Sequence, residues 1–569
     1  MVIHGRAADG RPCCVGPANM RPGSPQSGAP LPVAVGNGRA LRELTRKYAR
    51  TSAAASRMGS CTLGAMVCGT NGRAASLLLA LAWTPACASG AGFGEESTAG
   101  RTGGTGTSAG TAETTGEPPG TDTTNGPDPS TSTSAPTTTG EDTLGESSTS
   151  GSTGGDETTT GDDLPHPELY PTDRTHSPIT AYVADSIRAI AQAPGGADKN
   201  PAVFAKIGGG STASVNFMGC FAVEAAIQDL PPAPPLQDTL GYFNSVDLGG
   251  VTAFNRASAA AMVGFSSDEL VSGAPTPIEA ELEAIKPRFA QLLVGTHDLE
   301  KDQPGQLWTF AENLMATVDA LTTGGVVPIL STIPQRTDLP AKDIFTPRYN
   351  LVVRAVAQGR QIPLVDLNLA LSGVPMAGVV ENGELSVFVS AMVDRPCHFG
   401  ELAMMYGYNV RNLEGLRSLD RARQVVVDKV AELDAPGKRL EGVGSMADPI
   451  EIPSLPFVDL RSTEDSPSDI IDNYLGACDG MKDESGPERF YRLEVAAPVN
   501  VRVMVFDREA VDVDVHVLSD LAADKCLKRN DREITGPLPP GIYYIAVDSF
   551  AGDVPGGAVG EYAIVVMAD

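Results

Sequence analysis

Basic residues are scarce in this chain, with 42 Lys and Arg against 70 Asp and Glu and a net charge of −28 at pH 7. The shortage deepens beyond residue 86, where 32 basic residues face 68 acidic ones. Such a surface repels nucleic acid and anionic lipid headgroups over long range, so nucleic acid is not an expected partner. Long apolar runs are also missing near the N-terminus: the only strongly apolar one, residues 74–83, has ten residues, whereas about 20 are needed to cross a bilayer as a helix. Histidine is sparse, with only His166, His176, His297, His398 and His516 beyond the N-terminal region, so candidate general bases are few. No Cys-x-x-Cys pair or His-rich tract offers zinc-ligand spacing.

What is present begins with an export signal. The run 74–83, preceded by Arg73, has the proportions of a signal-peptide h-region. Thr84-Pro85-Ala86-Cys87 follows directly and resembles a bacterial lipoprotein box, in which the cysteine becomes the acylated N-terminus. The resemblance implies lipidation at Cys87 and a membrane partner through that anchor, although Pro85 departs from the usual box. Residues 1–57, rich in Gly, Pro, Arg and Ala without helical or strand period, read as a misassigned upstream start or an extension. Residues 58–87 then form the signal.

From 88 to 163 the chain is almost wholly Thr, Ser, Gly, Pro, Asp and Glu, with Phe93 and Leu144 its only large apolar residues. It cannot bury enough apolar surface to offset the entropy of ordering, and is expected to be an extended tether. Four cysteines remain beyond it: Cys220, Cys397, Cys478 and Cys526. An even number in an exported chain reads as disulfides with three connectivities, and placement favours Cys220–Cys397 and Cys478–Cys526. The expected location is the bacterial cell surface or periplasm.

Residues 164–440 alternate strands with helices. Strands are expected at 203–207, 290–294, 326–330 and 362–366, and helices at 277–285, 307–321, 348–358 and from 405 to about 433. That alternation indicates a parallel α/β sheet with helices on both faces, whose function gathers in loops at the carboxyl ends of the strands.

Those loops carry a second resemblance. Gly208-Gly209-Gly210-Ser211 after the first strand, and Gly295-Thr296-His297-Asp298 after a later one, are similar in order and placement to the blocks of the SGNH (GDSL) hydrolase family. The resemblance implies a flavodoxin-like SGNH-type sheet and an esterase or deacetylase acting on acylated glycans. It implies a serine nucleophile, an oxyanion site and an Asp–His pair. Here Gly210 occupies the nucleophile's position, so Ser211 serves only if the loop slides by one residue. Otherwise its hydroxyl caps the helix that follows. Asp394 and His398 are the available pair, with three residues between them where the family has two, and Cys397 is one of the three. Gly209 and His297 are the oxyanion candidates, His297 standing where the family has Asn. Residues 254–258 offer no glycine amide, and 384–388 no histidine. Two readings follow: a hydrolase built on Ser211, His398 and Asp394, or an SGNH-like fold that binds carbohydrate without chemistry. Residues 405–413, with two Tyr and two Asn around an Arg, are compatible with a sugar cleft, but packing against the sheet is their expected fate.

Residues 441–569 change to a period of two. Strands at 490–495, 499–506, 511–517, 542–547 and 562–566, separated by turns at 538–541 and 555–557, indicate an antiparallel β-sandwich. The sequences 541–548 and 560–564 resemble the bacterial pre-peptidase C-terminal (PPC) domain, which implies an accessory role. Asp512, Asp514 and His516 alternate onto one strand face. With Asp507 and Asp548 nearby they are a candidate Ca²⁺ site, against the commoner outcome of a solvated face. No other cofactor is expected.

Overall fold

The computed structural model describes residues 166–301, 303–475, 478, 483–550 and 558–569. The signal, Cys87 and the tether expected from the sequence lie outside the described residues.

The first sheet is parallel throughout. Its strands, in spatial order, are β1 (Asn200–Gly208), β2 (Pro287–Leu293), β3 (Val327–Ser331) and β4 (Leu364–Val365). From Val203 onward every residue of β1 is buried, the mark of a strand covered on both faces. A further parallel bridge joins Ala261 to Gly208, with Gly208 N–H on Ala260 at 2.9 Å and Met262 N–H on Gly208 at 3.2 Å. Ala261 falls between β1 and β2 in sequence but beside β1 in space. Counting it as a reduced strand, the order is 2-1-3-4-5, the flavodoxin-like arrangement. The switch point of that topology lies between β1 and β2.

Helices form where the sequence carries their end signals. Helix α1 (Pro277–Ile285) starts with proline at its first position and a capping box: Thr276 Oγ1 accepts from Glu279 N–H at 3.2 Å, and Glu279 Oε2 accepts from Thr276 N–H at 2.7 Å. Helices α2 (Gln306–Thr323) and α3 (Thr346–Gly359) cover one face of the sheet. Helix α4 (Gly407–Val426) covers the other, where Gln291 of β2 donates to the Gly415 carbonyl at 2.7 Å. Helix α4 ends at Val426, short of the expected residue 433.

The C-terminal part is a β-sandwich of two sheets. After the short hairpin strands β5 (Val389–Ser390) and β6 (Val393–Asp394) of the α/β part, the sandwich strands are β7 (Ile450–Ile452), β8 (Phe457–Ser462), β9 (Glu488–Val495), β10 (Val499–Asp507), β11 (Val513–Leu518), β12 (Cys526–Asn530), β13 (Glu533–Leu538), β14 (Gly541–Ser549) and β15 (Glu561–Ala568). One sheet has the order β13-β10-β15-β8 and the other β12-β11-β14-β9-β7, antiparallel except where β7 meets β9. The sequence reading missed β7, β8, β12 and β13, which are short, polar or edge strands with little alternation.

Alternation also understated burial. Residues 562–566 of β15 are buried without interruption. Their second face does not meet water, because α2 and α3 lie on it. Val458, Leu460, Met504, Phe506, Ala563 and Val565 join the core of the α/β part, and Trp308 Nε1 donates to the Val505 carbonyl at 2.8 Å. Arg360 bonds Glu561 at 2.7 Å across the same junction. The disulfides Cys220–Cys397 and Cys478–Cys526 are both formed, one in each part.

Candidate functional site

A cavity of about 440 Å³ opens at the switch point, bordered by Gly209, Gly210, Ser211, Gly295, His297 and Glu384 among others. Backbone approach builds it. Gly208 has φ +143°, and a Cβ there would stand 1.9 Å from the Leu293 carbonyl oxygen, so only glycine lets β1 and β2 leave the sheet side by side.

Among the described residues no hydrogen bond joins Ser211 to a histidine. The helical turn Gly210–Ala213 is capped by Gly209, so the expected hydroxyl cap is not realised. Ser211 Oγ instead accepts from Arg411 Nη1 at 3.1 Å, while Arg411 Nη2 donates to Thr212 Oγ1 at 2.7 Å. The guanidinium lies 3.8 Å over the Phe217 ring, and burial pulls its pKa down to about 10. Tyr408 contacts the Glu384 carboxylate and lies 3.1 Å from the Ser211 carbonyl. Burial first, then Glu384, pushes its phenol well up. Tyr408, Asn409 and Asn412 are buried and Arg411 is 5% exposed, so residues 407–413 pack against the sheet, while Met405 stays exposed.

His398 is occupied elsewhere. Its Nε2 lies 3.4 Å from Asp229, its Nδ1 accepts from Gly400 N–H at 3.1 Å, and its ring sits 5.2 Å from Phe388. Asp394, exposed on a short hairpin, accepts from Asn216 at 3.4 Å. Among the described residues no hydrogen bond joins Ser211, His398 and Asp394. The Cys220–Cys397 bridge helps explain why: it ties the residue before His398 to the 220 loop.

His297 does border the cavity. Its Nδ1 is 3.1 Å from Glu300 Oε2, and Glu300 Oε1 is 2.7 Å from Arg336 Nη1. Arg336 is 1% exposed and grips Asp338 with two bonds of 2.9 Å. Burial opposes its charge, but the hydrogen bonds it donates to Asp338 and Glu300 outweigh that and raise its pKa. With Nδ1–H given to Glu300, a neutral His297 carries its lone pair on Nε2, so it accepts where an oxyanion site must donate. Asp298, next in sequence, is buried and spent on Ser267 N–H at 3.0 Å, which fixes the neighbouring loop. Glu300, Arg336 and Glu384 were not singled out from the sequence as site residues. Their one signal was position, since all follow strands or lie in loops at the carboxyl end of the sheet.

In the β-sandwich the candidate cation residues separate. Asp512 is exposed, whereas Asp514 is 2% and His516 0% exposed. The expected solvated face is covered: Tyr474 stacks on His516 with ring centroids 3.7 Å apart, and Ile471 and Cys478 join the same buried cluster. Among the described residues no group of three or more His, Cys, Asp or Glu is arranged to hold a metal ion.

The strand order of the α/β part is flavodoxin-like, as the SGNH resemblance implies, and an antiparallel β-sandwich follows it. No protein-family model and no curated protein matches the chain. Among solved structures it is similar to an acetylxylan esterase from Geobacillus stearothermophilus, at 17% identity over 38% of this chain and 92% of that one, with TM-score 0.23. It is similar to a GDSL-like lipase from Bacteroides thetaiotaomicron, at 16% identity over 28% of this chain and 74% of that one, with TM-score 0.22. The pre-peptidase C-terminal domain of a collagenase from Bacillus anthracis matches at 16% identity over 20% of this chain and 91% of that one, with TM-score 0.14.

Proposed function

We propose that this is an envelope-tethered protein whose cavity receives an acylated glycan and does not act on it through a serine nucleophile. The observation that carries the second half is the hydrogen bonding of the triad candidates: Ser211 Oγ is held by Arg411, and His398 is held by Asp229 and Gly400. A serine attacks only when a base within hydrogen-bond reach takes its proton. The glycan half is supported by the lining, where Glu381, Asn382 and Glu384 offer acceptors to hydroxyl groups and disfavour an anionic ligand.

Ser211→Ala is expected to keep p-nitrophenyl acetate turnover within about twofold of the unmodified protein, and a fluorophosphonate probe to label neither. A loss of tenfold or more, or labelling at Ser211, refutes the proposal. The tether rests on the lipoprotein-like box and the acidic segment behind it. Cys87→Ser is expected to move the protein from the membrane fraction to the soluble one, and unchanged fractionation refutes the anchor.

A further inference from the structure

We infer that His297 is the proton-transfer group of this cavity and activates water directly for attack on an ester. The inference rests on the reading that the cavity holds an acylated ligand. Three observations carry it. The imidazole is held from behind, Nδ1 to Glu300 at 3.1 Å, so that Nε2 is the free acceptor. Glu300 is itself fixed at 2.7 Å by Arg336, which Asp338 and the Thr296 carbonyl hold in turn, the latter at 3.1 Å. A carboxylate, a histidine and a buried arginine in series orient a base and stabilise the imidazolium that forms when it takes a proton.

The third observation is the glycine strip beside the ring. A Cβ at Gly209 would lie 3.3 Å from His297 Cδ2 and 3.8 Å from Nε2, which sets the Nε2 edge against that strip. A side chain at Gly210 would meet nothing nearer than Val263 at 3.8 Å. The positions that bear Asp and Ser in the family motif are therefore bare backbone here, leaving room beside Nε2 for a water molecule and an acyl group.

The step balances without a cofactor. Water gives one proton to Nε2 as its oxygen bonds to the acyl carbon. The bond from that carbon to the alcohol oxygen then breaks, and the proton on Nε2 passes to the departing alkoxide. Ester and water become carboxylic acid and alcohol, and the enzyme is unchanged. Glu300 is a positioning residue in this scheme.

The test uses the full chain with p-nitrophenyl acetate. His297→Gly is expected to lower turnover by about 100-fold, the usual contribution of a general base, and added imidazole to restore a substantial part. His297→Gln, closer in shape, should lose as much without rescue. His398→Gln is expected to retain full turnover. In ¹⁵N spectra of the histidine rings, Glu300→Gln should shift His297 away from the Nδ1-protonated tautomer while the far-ultraviolet dichroism stays unchanged. Absence of turnover in the unmodified protein, equal rates in His297→Gly, or no imidazole rescue of a folded His297→Gly overturns the inference. Dependence on Ser211 would instead overturn the proposed function, so the two failures are distinguishable.

Discussion

Gly359→Val is expected to lower the melting temperature of the whole described region by about 3 °C or more, the largest loss foreseen for one substitution. Gly359 ends α3, where that helix lies on β8. A Cβ there would stand 2.2 Å from Leu460 Cβ and 2.8 Å from Leu460 Cδ2. Both residues are held by backbone on either side, so neither can step aside. Overfilling a packed interior costs about 1–3 kcal/mol, and more when backbone must move. Valine adds two further methyl groups at this contact between the parts. Gly241→Ala is the control, since nothing lies within 4 Å of a Cβ at that position. Thermal unfolding followed by circular dichroism decides the matter, and a shift below 1 °C for Gly359→Val would show that the parts do not pack as described.

Asp548→Asn should do the opposite and stabilise the β-sandwich at neutral and alkaline pH. Asp514, Asp548 and Glu488 are directly paired across β11, β14 and β9, so they form a row on one face. They are 2%, 0% and 0% exposed. Of these three, Asp514 is the one that Arg529 contacts, its other partners being Glu484 and Asp531, and among the described residues the Asp548 carboxyl has a single hydrogen bond, from the Tyr474 hydroxyl at 2.6 Å. Burial, then repulsion from Glu484, pushes Asp514 up to about 8. Burial likewise drives Asp548 well above the carboxylate range, Tyr474 only partly opposing it. A raised carboxyl pKa means that the folded chain keeps a proton the unfolded chain has released. Stability therefore falls as pH climbs from about 4 towards 8, the reverse of the usual salt-bridged carboxylate. Asparagine cannot ionise, yet its Oδ1 can still accept from Tyr474. The variant is expected to be the more stable protein at pH 8, with its advantage shrinking as the pH falls towards the ordinary carboxylate range. Melting curves across that range test it; a variant less stable at pH 8 would mean that the ionised carboxylate is needed.

Much of the architecture was legible because burial and periodicity agree in the strands of the parallel sheet. The run 203–207 is apolar on both faces but for Lys206, as a strand between two layers of helix must largely be, and Thr276-Pro277 with Glu279 spells out a helix start. The β-sandwich was readable where one face meets its partner sheet. It became misleading where β15 and β10 have a second covered face, since period two says only that two faces differ. The site was less legible. His297 could be placed from its loop, but its role depends on Glu300 and on Arg336, which comes from a different strand end. Ser211 was singled out as a nucleophile or a cap because both are local possibilities. Its actual partner, Arg411, is 200 residues away, and no local pattern encodes that.

The common core has a consequence for inheritance. A β-sandwich that ends one chain can be traded among proteins as a detachable cassette only while its outer strands are indifferent to what precedes them. Here Leu460, Phe506 and Val565 are committed to Gly359, Trp308 and their neighbours. Recombination that brought in another sandwich at residue 441 would bare an apolar helix pair and expose it to aggregation. The two parts are thus bound to descend together, each constraining which substitutions the other can accept.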